Sequence, residues 1–205
     1  SPTMTSITSI HESILSELRR WPEVEVASVT SILPLSGGES RTTFGIAAQK
    51  TDGEQLWASI RYVSPDYFRA VGLPLRAGRA ISGGDNRDAP CVVVIDEAAR
   101  ERYWSGASAL HDRVWIPPSR TTTCQVIGIV GSVRGIAMDA EPTPTIYVPY
   151  LQAKGRFAEV WGRRMTYAVR TRVGTSGFAG MLSVYVKKRD QYQAVADMRT
   201  MTDVV

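Results

Sequence analysis

Two short apolar runs near the middle of the chain, Cys91–Ile95 and Val126–Val130, constrain the fold more than any other feature. Each run is continuously apolar, which is typical of a β-strand that is buried on both faces. Neither approaches the roughly 20 apolar residues that a membrane-spanning helix needs. The chain has 205 residues, of which 43% are hydrophobic. Such a chain can bury its own core without metal or disulfide support, and its composition excludes a disordered or collagen-like protein.

The first third of the chain predicts a helix followed by three strands. Apolar residues at helical spacing predict an amphipathic helix over Ser6 to Arg20. β-Branched residues then predict a strand over Glu25 to Ile32. Alternating apolar residues predict a hairpin of Phe44–Ala48 and Leu56–Tyr62, with Asp52-Gly53 in its turn.

Two capping patterns predict where further helices begin and end. Ser64 as the N-cap and Pro65 at the first helical position predict a short helix. Gly72 suits the left-handed position that follows the end of this helix. Asp96, directly after the first apolar run, predicts the N-cap of a helix that runs to Trp104.

The rest of the chain predicts several strands and one further helix. These elements are an edge segment over Leu73–Ala80, strands over Val114–Ile116, Thr123–Val130, Ile146–Pro149, Tyr167–Val173 and Ala194–Arg199, and a helix that opens at Thr175 or Ser176. Thr200 and Asp203 then form a capping box for another helix, just where the sequence stops. A helix cut after one turn is unstable alone, so we expect a fragment excised from a longer protein.

The order of these elements predicts an α+β fold with two lobes. Both outer thirds combine helices with strands, whereas the middle third is dominated by the two apolar runs. We therefore expect residues 1–82 and 151–205 to form one lobe from the two ends of the chain. Residues 83–150 are expected to form a second, mixed α/β lobe that is inserted into the first.

The residue types that usually carry chemistry form no constellation in this sequence. The two histidines, His11 and His111, lie apart and are predicted at the surface. Gly128–Ser132 lacks the second glycine of a dinucleotide loop, so its glycines predict close backbone approach instead. Ser36–Gly38 predicts a turn. The candidate acid/base carboxylates, which lie beside predicted turns or caps, are Asp85, Asp88, Asp96, Glu97, Asp139 and Glu141.

We accordingly predict no catalytic residue, no cofactor-binding residue and no metal ligand. The net charge is +4, but the basic residues are scattered in ones and twos, which argues against a nucleic-acid partner. Cys91 and Cys124 each open an apolar strand. If the two strands are parallel neighbours, the sulfurs can form a disulfide in an oxidising compartment; a pair of buried free thiols is the alternative.

Several segments together resemble one family, in the same order along nearly the whole chain. They are Pro34–Gly38, Tyr62–Leu75 with Gly78-Arg79, Val93–Trp104, Val126–Arg134, Glu141–Tyr150 and Ala196–Met201. This set resembles the periplasmic core domain of MacB-like (FtsX-like) ABC transporter permeases. The sequence departs from the family pattern at Asp96, where Asn is usual, at Ser132, where Asp is usual, in the loop Ser105–Asp112, and at both cysteines.

The resemblance implies a fold and a mechanical role. The lobe built from the two ends would be porter-like, and the inserted lobe would be of the type called Sabre in this family. The domain would be non-catalytic and free of cofactors, on the periplasmic side of the inner membrane. Its implied partners are its own transmembrane helices, a second permease copy, an ABC ATPase on the same or a separate chain, and a periplasmic adaptor with an outer-membrane channel. It would couple cytoplasmic ATP hydrolysis to export by conformational change.

Two other functions remain as alternatives. The first is a lipoprotein- or substrate-binding domain in a permease of the lipoprotein-releasing type, which would need an exposed apolar groove. The second is a stand-alone hydrolase. The scarcity of histidine and the lack of a nucleophile motif argue against the hydrolase.

Overall fold

The computed structural model describes residues 4–33, 41–49, 55–104, 108–117, 122–133, 142–153 and 165–189. The helices in these ranges are α1 (Met4–Leu18), α2 (Tyr67–Val71), α3 (Glu97–Tyr103) and α4 (Thr175–Arg189), with a 3-10 turn at Tyr150–Gln152. The strands are β1 (Val24–Thr30), β2 (Arg41–Ile46), β3 (Leu56–Val63), β4 (Leu75–Gly78), β5 (Val92–Asp96), β6 (Arg113–Trp115), β7 (Thr123–Val130), β8 (Thr145–Pro149) and β9 (Thr166–Thr171).

The nine strands form one sheet, and six of them close into a ring. Strands β2, β6, β7, β5, β8 and β3 pair in that order, and β2 also pairs with β3. Strand β1 continues the sheet from β3 to β9, and β4 pairs with β7. The β3–β8 and β5–β7 pairs are parallel, whereas the other pairs are antiparallel.

Successive side chains of a strand point to opposite faces, so the ring has an inner and an outer apolar cluster. The inner cluster is packed with aliphatic and aromatic side chains, among them Phe44, Ile60, Ile95, Val114, Val126 and Ile146. The outer cluster lies between the strands and α2, and contains Val63, Tyr67, Phe68, Val94, Val130 and Tyr147. Strand β5 contributes to both clusters, which explains why its sequence is continuously apolar.

Most predicted elements are confirmed within a few residues of their expected bounds. Asp96 is the N-cap of α3, since its side chain accepts a hydrogen bond from the backbone N–H of Ala99. Gly72 follows α2 with a φ of 77°, which is the left-handed conformation that glycine adopts freely. Strand β7 has the predicted bounds, and β4 lies within the predicted edge segment.

The start of α2 was predicted wrongly. The helix begins at Tyr67 with Asp66 at the N-cap position, not at Pro65 after Ser64. The reason is that the Ser64 hydroxyl is used elsewhere, because its Oγ accepts a hydrogen bond of 2.9 Å from the backbone N–H of Val29 in β1. The side chain thus joins β1 to the α2 segment instead of capping a helix.

The orientation of α1 also differs from the expected one. Ile10, one of the apolar residues whose helical spacing predicted α1 and its apolar face, is 41% exposed, whereas His11 is 8% exposed and faces the core with Leu15 and Leu18. The expectation of a surface histidine is therefore wrong for His11. The helix is rotated because the groups that it packs against include a polar hydroxyl, as described below.

The fold is mixed α/β and dominated by its sheet. The ring crosses both expected lobe boundaries, since β8 pairs with β3 and β6 pairs with β2; the division at residues 82/83 and 150/151 stays a prediction. The predicted features at Pro34–Gly38, Asp52-Gly53, Ala194–Arg199, Thr200 and Asp203 lie outside the described residues. None of the described helices is long and apolar enough to cross a membrane.

Candidate functional site

Helix α1 is fastened to the rest of the domain by partly buried polar contacts. His11 Nδ1 lies 2.5 Å from the hydroxyl of Tyr167 at the start of β9. The hydroxyl of Tyr150 donates to the Glu12 carboxylate. Burial raises the pKa of both phenols, and the Glu12 carboxylate raises that of Tyr150 further, so both remain protonated at neutral pH. These contacts hold one helix against two separate parts of the sheet.

The end of the same helix contacts α2. Arg19 Nη2 donates to Asp66 Oδ2 at 3.0 Å, and both side chains are more than a third exposed, so this ion pair adds little stability. The contacts of His11 and Glu12 thus position α1 against the rest of the domain. The second histidine, His111, is exposed as predicted, and adopts a left-handed φ of 73° in a loop.

Asp96 joins three elements rather than forming an acid/base pair. Its Oδ1 accepts hydrogen bonds from the backbone N–H groups of Ala99, at 2.8 Å, and Thr145, at 3.0 Å. Burial raises the pKa of this carboxyl group to about 6, against the opposing effect of its hydrogen bonds. The side chain therefore ties β5, α3 and β8 together, and carries a cost when it ionises.

The other candidate carboxylates in the described ranges do not converge either. Asp85 accepts two hydrogen bonds from Arg79, at 2.7 and 2.8 Å, and the Arg79 guanidinium lowers the pKa of the Asp85 carboxyl group. Glu97 pairs with Arg76 at 3.2 Å, and Asp88 is exposed. Asp139, Glu141 and the turn at residues 36–38 lie outside the described residues. Within the described ranges, no group of three or more His, Cys, Asp or Glu side chains could hold a metal ion.

The glycine of strand β7 serves backbone packing, as predicted. A Cβ atom on Gly128 would lie 2.2 Å from the carbonyl oxygen of Arg79, so only glycine lets this part of the chain approach β7. A Cβ atom on Gly131 would lie 3.2 Å from the side chain of Pro74, which is a tight contact but not a clash with the backbone. Neither position presents a phosphate-binding loop.

The two cysteines form a disulfide. Strands β5 and β7 are parallel neighbours, as the bridged alternative required, and the Cα atoms of Cys91 and Cys124 are 4.5 Å apart. Cys124 is buried in the inner cluster. The bond thus links the starts of the two apolar strands that define the centre of the chain.

Two further features were missed by sequence reasoning. The first is an apolar groove on α4, lined by Trp21, Gly177, Gly180, Met181, Val184 and Tyr185. Trp21 contacts Tyr185 edge-on, with ring centroids 5.3 Å apart. The helical spacing of the two glycines with Met181 and Val184 was the available signal for this exposed stripe.

The second feature is a buried polar cluster beneath α2. Arg61 on β3 is 8% exposed, and it lies directly opposite Tyr147 of β8 in the parallel pairing. Tyr67 packs on Tyr147, with ring centroids 5.9 Å apart. Alternation along β3 places Arg61 on the outer face, but only the packing of α2 reveals that this face is covered.

The family model for the MacB-like periplasmic core domain matches residues 3–200 of the chain. The chain belongs to this family. A curated relative, the probable export ATP-binding/permease protein MacB of Pseudomonas entomophila (strain L48), is 30% identical over 112 residues. That match covers 54% of this chain and 16% of the relative, so the chain corresponds to a small part of the longer protein.

Solved structures share the fold of this MacB-like core domain. The periplasmic region of MacB from Actinobacillus actinomycetemcomitans has a TM-score of 0.60 at 17% identity, covering 86% of this chain and 72% of that one. A domain of a putative permease from Porphyromonas gingivalis has a TM-score of 0.59 at 16% identity, covering 89% and 78%. The extracellular domain of the transporter YknZ from Gram-positive bacteria has a TM-score of 0.58 at 15% identity, covering 86% and 82%. The predicted family is thus confirmed.

Proposed function

We propose that this MacB-like core domain is a non-catalytic, extracytoplasmic part of an ABC transporter permease in the inner membrane. It moves as a body when ATP is bound and hydrolysed on the cytoplasmic side, and it passes that movement to export. Its partners would be its own transmembrane helices, a second permease copy, an ABC ATPase, and a periplasmic adaptor with an outer-membrane channel. Residues 1–82 with 151–205, and 83–150, would be the two lobes that carry the contacts.

The observation that carries this proposal is how the first and last described helices are fastened. The α1–β1 junction packs against α4 through Trp21, which contacts both Phe178 and Tyr185. Strands β1 and β9, which follow α1 and precede α4, pair from Val24 to Thr30. A force applied through either end of the domain would therefore act on the same two paired strands, β1 and β9. This is what we expect of a domain whose two ends are both attached to one membrane and move together.

The disulfide supports the proposed location. Disulfides persist in oxidising compartments such as the periplasm and are rare in the cytosol. The Cys91–Cys124 bond lies within the inner cluster, where it can stabilise the ring without taking part in chemistry.

Distance measurements on the full-length gene product test this proposal. A spin label at Asp88→Cys lies on an exposed residue, and the native cysteines are bonded to each other and do not react. We expect the label-to-label distance between the two copies to differ between the ATP-free and ATP-bound states. Identical distance distributions, in a preparation whose ATPase activity is intact, would refute the mechanical role.

The groove on α4 favours a second candidate function, the binding of a lipid-modified or apolar substrate. Met181 and Val184 are 43% and 55% exposed beside Trp21, so the groove offers an apolar surface. Tryptophan fluorescence during titration with a diacylated lipopeptide tests this candidate. A saturable change that Met181→Asp abolishes supports it, and an unchanged spectrum rejects it.

A further inference from the structure

A positive charge is buried beneath α2, and no salt bridge joins it to a residue that the structure describes. The charged guanidinium belongs to Arg61, whose side chain is almost fully enclosed. Its Nε and Nη1 atoms are buried and have no hydrogen-bond partner among the residues that the structure describes. A buried guanidinium that lacks partners is costly, so its surroundings need an explanation.

Two phenols share the same enclosure. The hydroxyl groups of Tyr67 and Tyr147 are buried, and neither makes a hydrogen bond of good geometry within the described ranges, although the Tyr67 hydroxyl lies close to the Arg61 and Thr30 side chains. Burial raises the pKa of both phenols, and the nearby charge of Arg61 lowers it by a smaller amount. Both hydroxyls are therefore protonated and can donate hydrogen bonds, as can the guanidinium.

Asp96 is a carboxylate that the charge of Arg61 acts on, but it forms no direct ion pair with Arg61 in the described structure. Its Oδ1 is occupied by the backbone N–H groups of Ala99 and Thr145. Burial outweighs the attraction of Arg61, because the Asp96 pKa is raised and not lowered. The cluster therefore holds a cation and two hydroxyl donors, while the Asp96 carboxylate accepts hydrogen bonds from backbone N–H groups.

We propose that Arg61, Tyr67 and Tyr147 form an internal binding site for a small inorganic anion of the size of chloride. The three side chains are neighbours, since Arg61 lies opposite Tyr147 in the β3–β8 pairing and Tyr67 packs on Tyr147, and the guanidinium supplies the charge. Tyr67 and Tyr147 are each 0% exposed and Arg61 is 8% exposed, so the cluster leaves no room for a large ligand such as a nucleotide or a peptide. The anion would complete the hydrogen bonding beneath α2 and hold this helix on the sheet. The site is independent of the proposed transport role.

Thermal unfolding at constant ionic strength tests the site. Sodium chloride replaces sodium gluconate stepwise, since gluconate is too large to enter. We expect the melting temperature to rise and saturate with chloride; at ten times the dissociation constant the folding equilibrium constant grows about elevenfold. A melting temperature that does not depend on chloride would overturn the proposal.

Three variants make the result specific. Tyr147→Phe keeps the shape of the cluster and removes one donor, so it should weaken the chloride dependence; Arg61→Met should abolish it. Asp96→Asn removes the opposing charge and should tighten chloride binding. The exposed Arg113→Met is the matched control and should behave like the unmodified chain. If Tyr147→Phe and Arg113→Met both leave the dependence unchanged, chloride acts elsewhere and the site is refuted, even if Arg61→Met does not fold.

A crystal grown in sodium bromide gives a direct second readout. Bromide is detected by its anomalous scattering, and a peak within hydrogen-bond distance of Arg61 and Tyr147 is the expected result. Density for water alone at that position, at saturating bromide, would contradict the assignment.

Discussion

The two faces of the strand ring are built on different principles. The inner cluster is closed by pairing all around the ring, and its interior is filled by side chains such as Phe44 and Ile146, which are 1% and 0% exposed. The outer cluster beneath α2 is equally buried, yet it encloses Arg61 and the polar tips of two tyrosines. The inner face thus provides stability through apolar packing, whereas the outer face depends on how its polar groups are satisfied.

We expect the largest loss in the free energy of unfolding from a substitution in the inner cluster. Phe44→Ala removes a buried ring that packs edge-on against Tyr103, and should lower the free energy of unfolding by about 3–5 kcal/mol. Urea unfolding followed by far-UV circular dichroism measures it. Leu75→Ala, at a position 46% exposed, is the control and should cost little. Equal losses in the two variants would contradict the role of the inner cluster.

We expect the next largest loss in the free energy of unfolding from removal of the disulfide. Replacing Cys91 and Cys124 by Ala together frees a loop with a sequence separation of 33 residues. In the chain-entropy account this lowers the free energy of unfolding by about 3–4 kcal/mol. The midpoint of urea unfolding should fall, and dithiothreitol should lower the midpoint of the unmodified chain but not that of the variant. A variant with an unchanged midpoint would show that the bond does not stabilise the ring.

Asp96 lies where the ring meets the outer polar groups, and its substitution should stabilise the protein. The folded pKa of about 6 lies above the unfolded value of 3.8, so the native state holds the proton more tightly. The contribution of this group to stability is therefore full below about pH 4 and falls as the pH rises to about 6. Asp96→Asn keeps an oxygen for Ala99 and Thr145, and should raise the free energy of unfolding at pH 7 by about 1–3 kcal/mol.

The pH dependence of stability separates the ionisation of the buried Asp96 carboxyl group from a general effect of removing a negative charge. The difference in stability between Asp96→Asn and the unmodified chain should grow from pH 4 to pH 6 and then level off. The exposed Asp88→Asn is the control, and should show a flat difference. If Asp96→Asn is less stable at pH 7, the carboxylate is paired in the native state and the account of the outer cluster is wrong.

We expect the smallest changes in the free energy of unfolding from substitutions of two buried serines, Ser59 and Ser28. The Ser59 hydroxyl has no hydrogen-bond partner among the described residues, whereas the Ser28 hydroxyl donates to the Ala168 carbonyl oxygen at 3.2 Å. Ser59→Ala should change the free energy of unfolding by less than about 0.5 kcal/mol, and Ser28→Ala should lower it by about 1 kcal/mol. Calorimetry measures both, and the reverse order would show that Ser59 is satisfied in the native protein.

The sequence predicted the parts of this fold that local patterns determine. The continuous apolar runs became β5 and β7, and Asp96 and Gly72 took the roles that their capping chemistry indicates. The disulfide followed once the two strands were known to be parallel neighbours, but the sequence could not establish that pairing.

Features that depend on distant packing could not be predicted. Ser64 binds β1 instead of capping α2, since a strand from another part of the chain lies beside it. His11 is buried because Tyr167 lies 156 residues later in the sequence and meets it in space. The alternation of side chains along β3 places Arg61 on the outer face, and its burial depends on α2 covering that face.

We propose that the whole domain moves as one rigid body when ATP is bound on the cytoplasmic side of the membrane. Two spin labels in one copy of the full-length protein, at Glu25→Cys on β1 and Asp88→Cys beyond β4, test it after dilution with unlabelled copies; both positions are exposed. We expect the distance between the two labels of one copy to be the same in the ATP-free and ATP-bound states, while the label-to-label distance between the two copies changes. A shift of the distance within the copy upon ATP binding would contradict it.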